Sequence, residues 1–139
     1  METFSIEKDI LVLCVTATSF PKGVLKAHER LHALLSTIEG RNFYGISCPN
    51  EQGLIVYKAA AEQQYDGEAK QLNCETFIIK KGNYISNTIR DFHKDVGSIG
   101  KAFHELLADS RIDPEGCCVE MYLNQDDVQC MIRLEASPN

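Results

Sequence analysis

The chain has no tryptophan, only four prolines, and no Cys-x-x-Cys pair among its six cysteines. No apolar run approaches the roughly 20 residues that a membrane-crossing helix needs. The start, Met1-Glu2-Thr3-Phe4-Ser5, lacks a basic region followed by an apolar stretch, so no secretion leader is expected and the predicted location is the cytoplasm. Positive charge is scarce as well: 14 Lys and Arg stand against 20 Asp and Glu, for a net charge of −6. That balance argues against direct nucleic-acid binding, which needs a basic face, and mildly favours cations. Cys14, Cys48, Cys74, Cys117, Cys118 and Cys130 sit mostly in apolar runs. They read as reduced core residues rather than a disulfide framework or a metal site.

What is present is ordinary for one soluble domain spanning residues 1–139, with 44% hydrophobic and 24% charged residues. Ile10 to Thr18 reads as a strand, and Pro21 suits the first turn of a helix. Val24, Ala27, Leu31, Leu34, Leu35 and Ile38 then recur at helical spacing up to Gly40. Strands over Phe43–Cys48 and Leu54–Ala61 flank a turn, and the polar stretch Glu62–Asn73 reads as an exposed connection. The pattern repeats. Strands are predicted over Glu75–Lys80 and Tyr84–Ile89, followed by a helical stripe of Val96, Ile99, Phe103, Leu106, Leu107 and Ser110. A closing hairpin runs from Cys117–Leu123 to Val128–Glu135. This predicts an α+β fold of two strand-helix-hairpin halves, pseudo-repeats 10–61 and 75–135, related by a pseudo-twofold axis. The antiparallel sheet system would carry one long helix per half around a central pocket. Laying the halves over one another matches Tyr44 with Glu120 and Ile46 with Tyr122.

Within the last of these halves, Cys117-Cys118-Val119-Glu120-Met121-Tyr122-Leu123 places a glutamate in a strand-like apolar run. Alternation puts Glu120 and Tyr122 on one face and Val119, Met121 and Leu123 on the other, which reads as the core face. Two readings compete for Glu120. Its face is wet, as one side of an antiparallel sheet often is, or it is buried and offset by a partner such as a bound cation.

Other motifs are weaker. His28-Glu29-Arg30-Leu31-His32 matches the zinc-peptidase pattern of two histidines four apart with a glutamate base. Leu31 belongs to the buried stripe, however, and no third ligand among His93, His104 and the carboxylates has a recognisable spacing. No metal and no cofactor are therefore expected. Gly97-Ser98-Ile99-Gly100-Lys101 fails as a phosphate loop, because Asp95 replaces the first glycine and Ala102 the Ser or Thr. The tyrosines Tyr44, Tyr57, Tyr84 and Tyr122, with Phe103 on the second helix, are candidate walls of a site. Several rings around one carboxylate would attract a lipophilic cation.

The order Ile78-Ile79-Lys80-Lys81-Gly82-Asn83-Tyr84, a helix, then Glu120-Met121-Tyr122 resembles the GyrI-like effector-binding family. This family includes the drug-sensing modules of bacterial multidrug-responsive transcription activators. Phe20-Pro21, Tyr44-Gly45-Ile46 and Tyr57 extend the resemblance over nearly the whole chain. It implies a duplicated α+β fold whose central pocket holds aromatic, often cationic compounds, with Glu120 as the pocket glutamate. The proline and tryptophan often found before that glutamate are absent here, with Gly116-Cys117-Cys118 in place of the former. A first strand beginning by residue 10 leaves no room for a DNA-binding segment. The chain thus resembles the stand-alone form, and a second copy of itself or a regulatory protein are candidate partners. Non-catalytic binding is the expectation. Two rivals are a hydrolase using Glu120 as base and a tyrosine as acid, and an interaction module that inhibits another protein through its acidic surface.

Overall fold

The computed structural model describes residues 1–95 and 97–136. Its strands are β1 (Glu2–Ile6), β2 (Ile10–Thr16), β3 (Phe43–Pro49), β4 (Ile55–Glu62), β5 (Glu75–Ile79), β6 (Gly82–Ile89), β7 (Cys118–Tyr122) and β8 (Val128–Arg133). The helices are α1 (Val24–Leu34), α2 (Glu68–Leu72) and α3 (Ser98–Leu107), with a single 3₁₀ turn at Phe92–Lys94. The fold is α+β with antiparallel pairing throughout the strand pairs described below.

Two compact units emerge, Asp9–Ile79 and a second made of Met1–Lys8 with the chain from Lys80 onward. In the first, the strand order is β3-β4-β2-β5; in the second it is β7-β8-β6-β1. These are the same order once β5 is matched with β1. The duplication is therefore present, and its first copy starts with β1, before residue 10, while its second starts with β5 at Glu75. The missed strand, β1, pairs with β6 by placing Ile6 opposite Gly82 and Glu2 opposite Ser86. Its counterpart β5 pairs with β2, placing Ile79 opposite Ile10 and Glu75 opposite Cys14.

Each helix covers one face of its own sheet because its apolar stripe has nowhere else to go. Ala27, Leu31 and Leu35 of the α1 segment pack on Leu13, Val15, Tyr57, Ala59 and Ala61. The helix ends at Leu34, four residues before Ile38, which is exposed. Pro21 lies in the turn before the helix rather than in its first turn, with a cis Phe20–Pro21 bond. On α3, Ala102, Phe103 and Leu106 pack against Ile85, Val128, Cys130 and Ile132. Val96, which the sequence assigns to this stripe, lies outside the described residues.

Two expectations are corrected. The stretch 62–73 contains α2, whose Glu68 and Ala69 are buried. Arg41 holds this short helix in place, donating to Glu68 Oε2 at 2.8 Å and Oε1 at 3.2 Å, to Gln64 Oε1 and to the Glu62 carbonyl. Both charged side chains are fully buried. The cysteines differ as well: Cys48 and Cys117 are disulfide-bonded, whereas Cys14, Cys74, Cys118 and Cys130 are free thiols. Nothing in the spacing of six cysteines distinguishes those two from the rest.

Candidate functional site

β7 presents Cys118, Glu120 and Tyr122 on one face, opposite Ile132, Cys130 and Val128 of β8. Those β8 residues belong to the cluster packed under α3, and Cys118 and Tyr122 pack against it too. Glu120 therefore points to the helix side of its sheet, and at 7% exposure it is buried. Alternation correctly groups Glu120 with Tyr122, but the helix-covered core lies on their side, not on that of Val119 and Met121. The wet-face reading fails on burial alone.

The carboxylate is anchored locally. Tyr122 donates its phenolic hydrogen to Glu120 Oε1 at 2.5 Å, the short range expected when an O–H meets a carboxylate oxygen. Phe92 approaches Tyr122 with ring centroids 6.0 Å apart. Two thiols share the face and register the negative charge. Burial first, then Glu120, pushes Cys118 up to about 11 and Cys130 up to about 12. Both stay protonated at neutral pH, so they contribute apolar surface rather than nucleophiles. The result is a buried carboxylate bound to a phenol and bordered by apolar and sulfur atoms.

The other candidate residues are distributed differently. Phe103 sits on α3 in the same cluster. Tyr84 does not share Glu120's face: it precedes Ile85, which faces α3, so its ring is on the reverse side. Its hydroxyl donates to the Lys80 carbonyl at 2.6 Å. In the first unit Tyr44 alternates with Phe43, which packs on the α1 side, and so also lies on the reverse face of its sheet. Burial, then Glu62, raises its pKa to about 12. Tyr57 is on the helix side of that unit, buried within the α1 cluster.

Strand ladders explain why Tyr44 does not match Glu120. In one unit, Gly45 lies opposite Ala59, which lies opposite Val15. In the other, Glu120 lies opposite Cys130, which lies opposite Asn87. Glu120 thus corresponds to Gly45 and Tyr122 to Ser47. A slip of one residue exchanges the faces.

The His28-x-x-x-His32 pair has other partners. His28 Nε2 is 2.8 Å from the Tyr57 hydroxyl, and burial, aided by neighbouring His32, lowers its pKa to about 4. His32 stacks on Phe43 with ring centroids 4.6 Å apart and planes 9° from parallel. Among the described residues, no group of three or more His, Cys, Asp or Glu is placed to hold a metal ion. The role of His28 beside Tyr57 was not visible in the sequence, because 29 residues separate them. Among the described residues, no helix is long and apolar enough to cross a membrane.

No protein-family profile and no curated protein matches the sequence. Solved structures do. An integron cassette protein from the mobile metagenome of Vibrio cholerae superposes with a TM-score of 0.71 at 12% identity, covering 96% of this chain and 95% of that one. The structure of SAV2435 bound to tetraphenylphosphonium gives 0.67 at 8% identity, covering 97% and 93%. A putative transcription regulation protein from Staphylococcus aureus gives 0.61 at 9% identity, with 97% of each chain covered. At these identities the likeness is one of fold: the chain has the α+β fold of these proteins.

Proposed function

We propose that the protein binds small apolar or aromatic molecules, lipophilic cations above all, with Glu120 as the charge partner, as a GyrI-like effector-binding domain would. The observation that carries this reading is the buried Glu120 carboxylate, fixed by Tyr122 at 2.5 Å on the helix side of its sheet. A desolvated carboxylate is costly unless compensated, and a cation with an apolar shell provides charge without demanding water. Tyr122 and Phe103 are the proposed aromatic contacts within the same unit. The fold shared with a protein bound to tetraphenylphosphonium and with a regulator-like protein supports small-molecule binding.

Glu120→Gln keeps an acceptor for the Tyr122 hydroxyl but removes the charge. It should weaken tetraphenylphosphonium by about 1.5–3 kcal/mol, the size of a charge–charge attraction over roughly 6–10 Å at an effective dielectric constant of about 20. Triphenylphosphine oxide, uncharged and of similar shape, should barely respond. The measurement is calorimetric titration of both compounds into both proteins. Equal losses for the two would mean that Glu120 shapes the site without reading charge, and no loss for either would end the proposal.

A further inference from the structure

The first unit has a cleft of its own, of about 420 Å³, within the size range of small-molecule sites. It opens between the segment leading from β2 into α1 and the β3–β4 turn, with Thr16, Phe20, Asn50, Leu54, Ile55 and Tyr57 among its walls. Three of these are large apolar side chains left in water: Phe20 is 46% exposed, Leu54 66% and Ile55 43%. Single exposed apolar residues are unremarkable, but three around one concavity are not.

The cleft's chemistry is well defined. None of its lining side chains is Asp, Glu, His, Lys or Arg, so an ion placed there would lose hydration without a counter-charge beside it. The Thr16 hydroxyl is already engaged, donating to Glu75 at 2.8 Å and accepting from Lys58 Nζ at 2.9 Å. The aromatic floor is rigid. Phe20 stacks on Tyr57 with centroids 6.0 Å apart and planes 24° from parallel. His28 holds the Tyr57 hydroxyl at 2.8 Å, so the lower ring is fixed at both ends. The turn wall is fixed too, because Asn50 Oδ1 accepts from the backbone N–H groups of Gln52 and Leu54.

We propose that this cleft is a second ligand site, one that takes an uncharged planar aromatic compound stacked on the open face of Phe20 between Leu54 and Ile55. None of its lining residues is among those proposed for the cation site, and none belongs to the unit that carries Glu120. A hydrophobic flat ligand gains ring contact and apolar burial there, and the surrounding hydroxyl and amide groups tolerate a single polar substituent.

The probe is N-phenyl-1-naphthylamine, an uncharged dye whose fluorescence rises on leaving water. It should bind the intact protein saturably. Leu54→Glu, which introduces a charge on an exposed turn, and Phe20→Ala, which removes the stacking ring, should each weaken it by about tenfold. Glu120→Gln should leave it unchanged. Unaltered binding in both Leu54→Glu and Phe20→Ala, absence of saturable binding, or an equal loss in Glu120→Gln would each overturn the proposal. Leu54→Glu keeps the test valid if Phe20→Ala alters the fold. Because the cation titrations with Glu120→Gln are separate, either site can fail without the other.

Discussion

At the scale of single residues, burial decides chemistry. His28 titrates near 4 instead of its ordinary 6.5 because burial disfavours its charged form. The unfolded chain therefore binds a proton that the folded chain refuses between those two values. Stability should be fully present above pH 6.5 and fall as pH drops through that window, by about 3 kcal/mol at most. Urea unfolding at pH 7 and 4.5 should show this loss, and His28→Gln should flatten it. Equal pH dependence in the two proteins would mean that His28 accepts a proton without disturbing the fold. The thiols give a second test. Removing the Glu120 charge removes one cause that raises Cys118 and Cys130, yet burial is the larger cause. Glu120→Gln should therefore lower both thiol pKa values only in part, leaving alkylation slow at pH 8. Rapid labelling at that pH would show that Glu120, not burial, protects them.

Glu120 also marks how far sequence reaches at this scale. A lone carboxylate in an apolar strand is visible, and so is its pairing with Tyr122, because alternation dictates which side chains share a face. Which face a helix will cover is not dictated by alternation, since Val119 on one side and Cys118 and Cys130 on the other look equally apolar. The register between halves was lost for a related reason. Matching tyrosine to glutamate by position ignored the ladder, which alone says that Gly45 stands in Glu120's place.

At the scale of elements, α1, α3 and seven of the strands were legible because their stripes are long or strongly β-branched. α2 was not. Five residues are too few to show a period, and its buried members are Glu68 and Ala69, which read as polar connection. Such a helix cannot persist alone; it depends on the buried Arg41. Arg41→Ala should cost about 3–5 kcal/mol, since it strands Glu68 in the interior. The same pair makes a pH prediction. Hydrogen bonding to Arg41 chiefly lowers Glu68's pKa below 4.5, so its contribution is present above that value and is lost as pH falls beneath it. Chemical denaturation of Arg41→Ala between pH 3 and 6 should show a shallower acid loss than the parent, and parallel curves would detach the pair from acid stability.

At the scale of the whole chain, the repeat was legible in its middle and missed at its start. Glu75-Thr76-Phe77-Ile78-Ile79 repeats Glu2-Thr3-Phe4-Ser5-Ile6 at four of five positions. That likeness was the available signal. The two strands share a burial pattern as well. Since β1 pairs only with β6 in its sheet order, deleting residues 1–6 should speed amide exchange in β6 while β2 and β4 keep their protection. Uniform acceleration across both units would show that they do not unfold separately.

The likeness of β1 and β5 has a consequence for how the chain is made. Each strand lies beside the sequence neighbour of the other: β1 beside β6, and β5 beside β2. Ile6 ends opposite Gly82 and Ile79 opposite Ile10, yet Ile6 and Ile10 are joined by three residues, and Ile79 and Gly82 by two. Both intervals are lengths that close a β-hairpin. A nascent chain leaving the ribosome offers β1 to β2 long before β5 exists. Any such local pairing would have to be surrendered when β5 arrives, and the native partner of the first strand, β6, begins only at Gly82. A chain that first paired β1 with β2 would thus reach its fold by an exchange of nearly identical strands, the same event that, between two polypeptides, would join them into an interlocked pair.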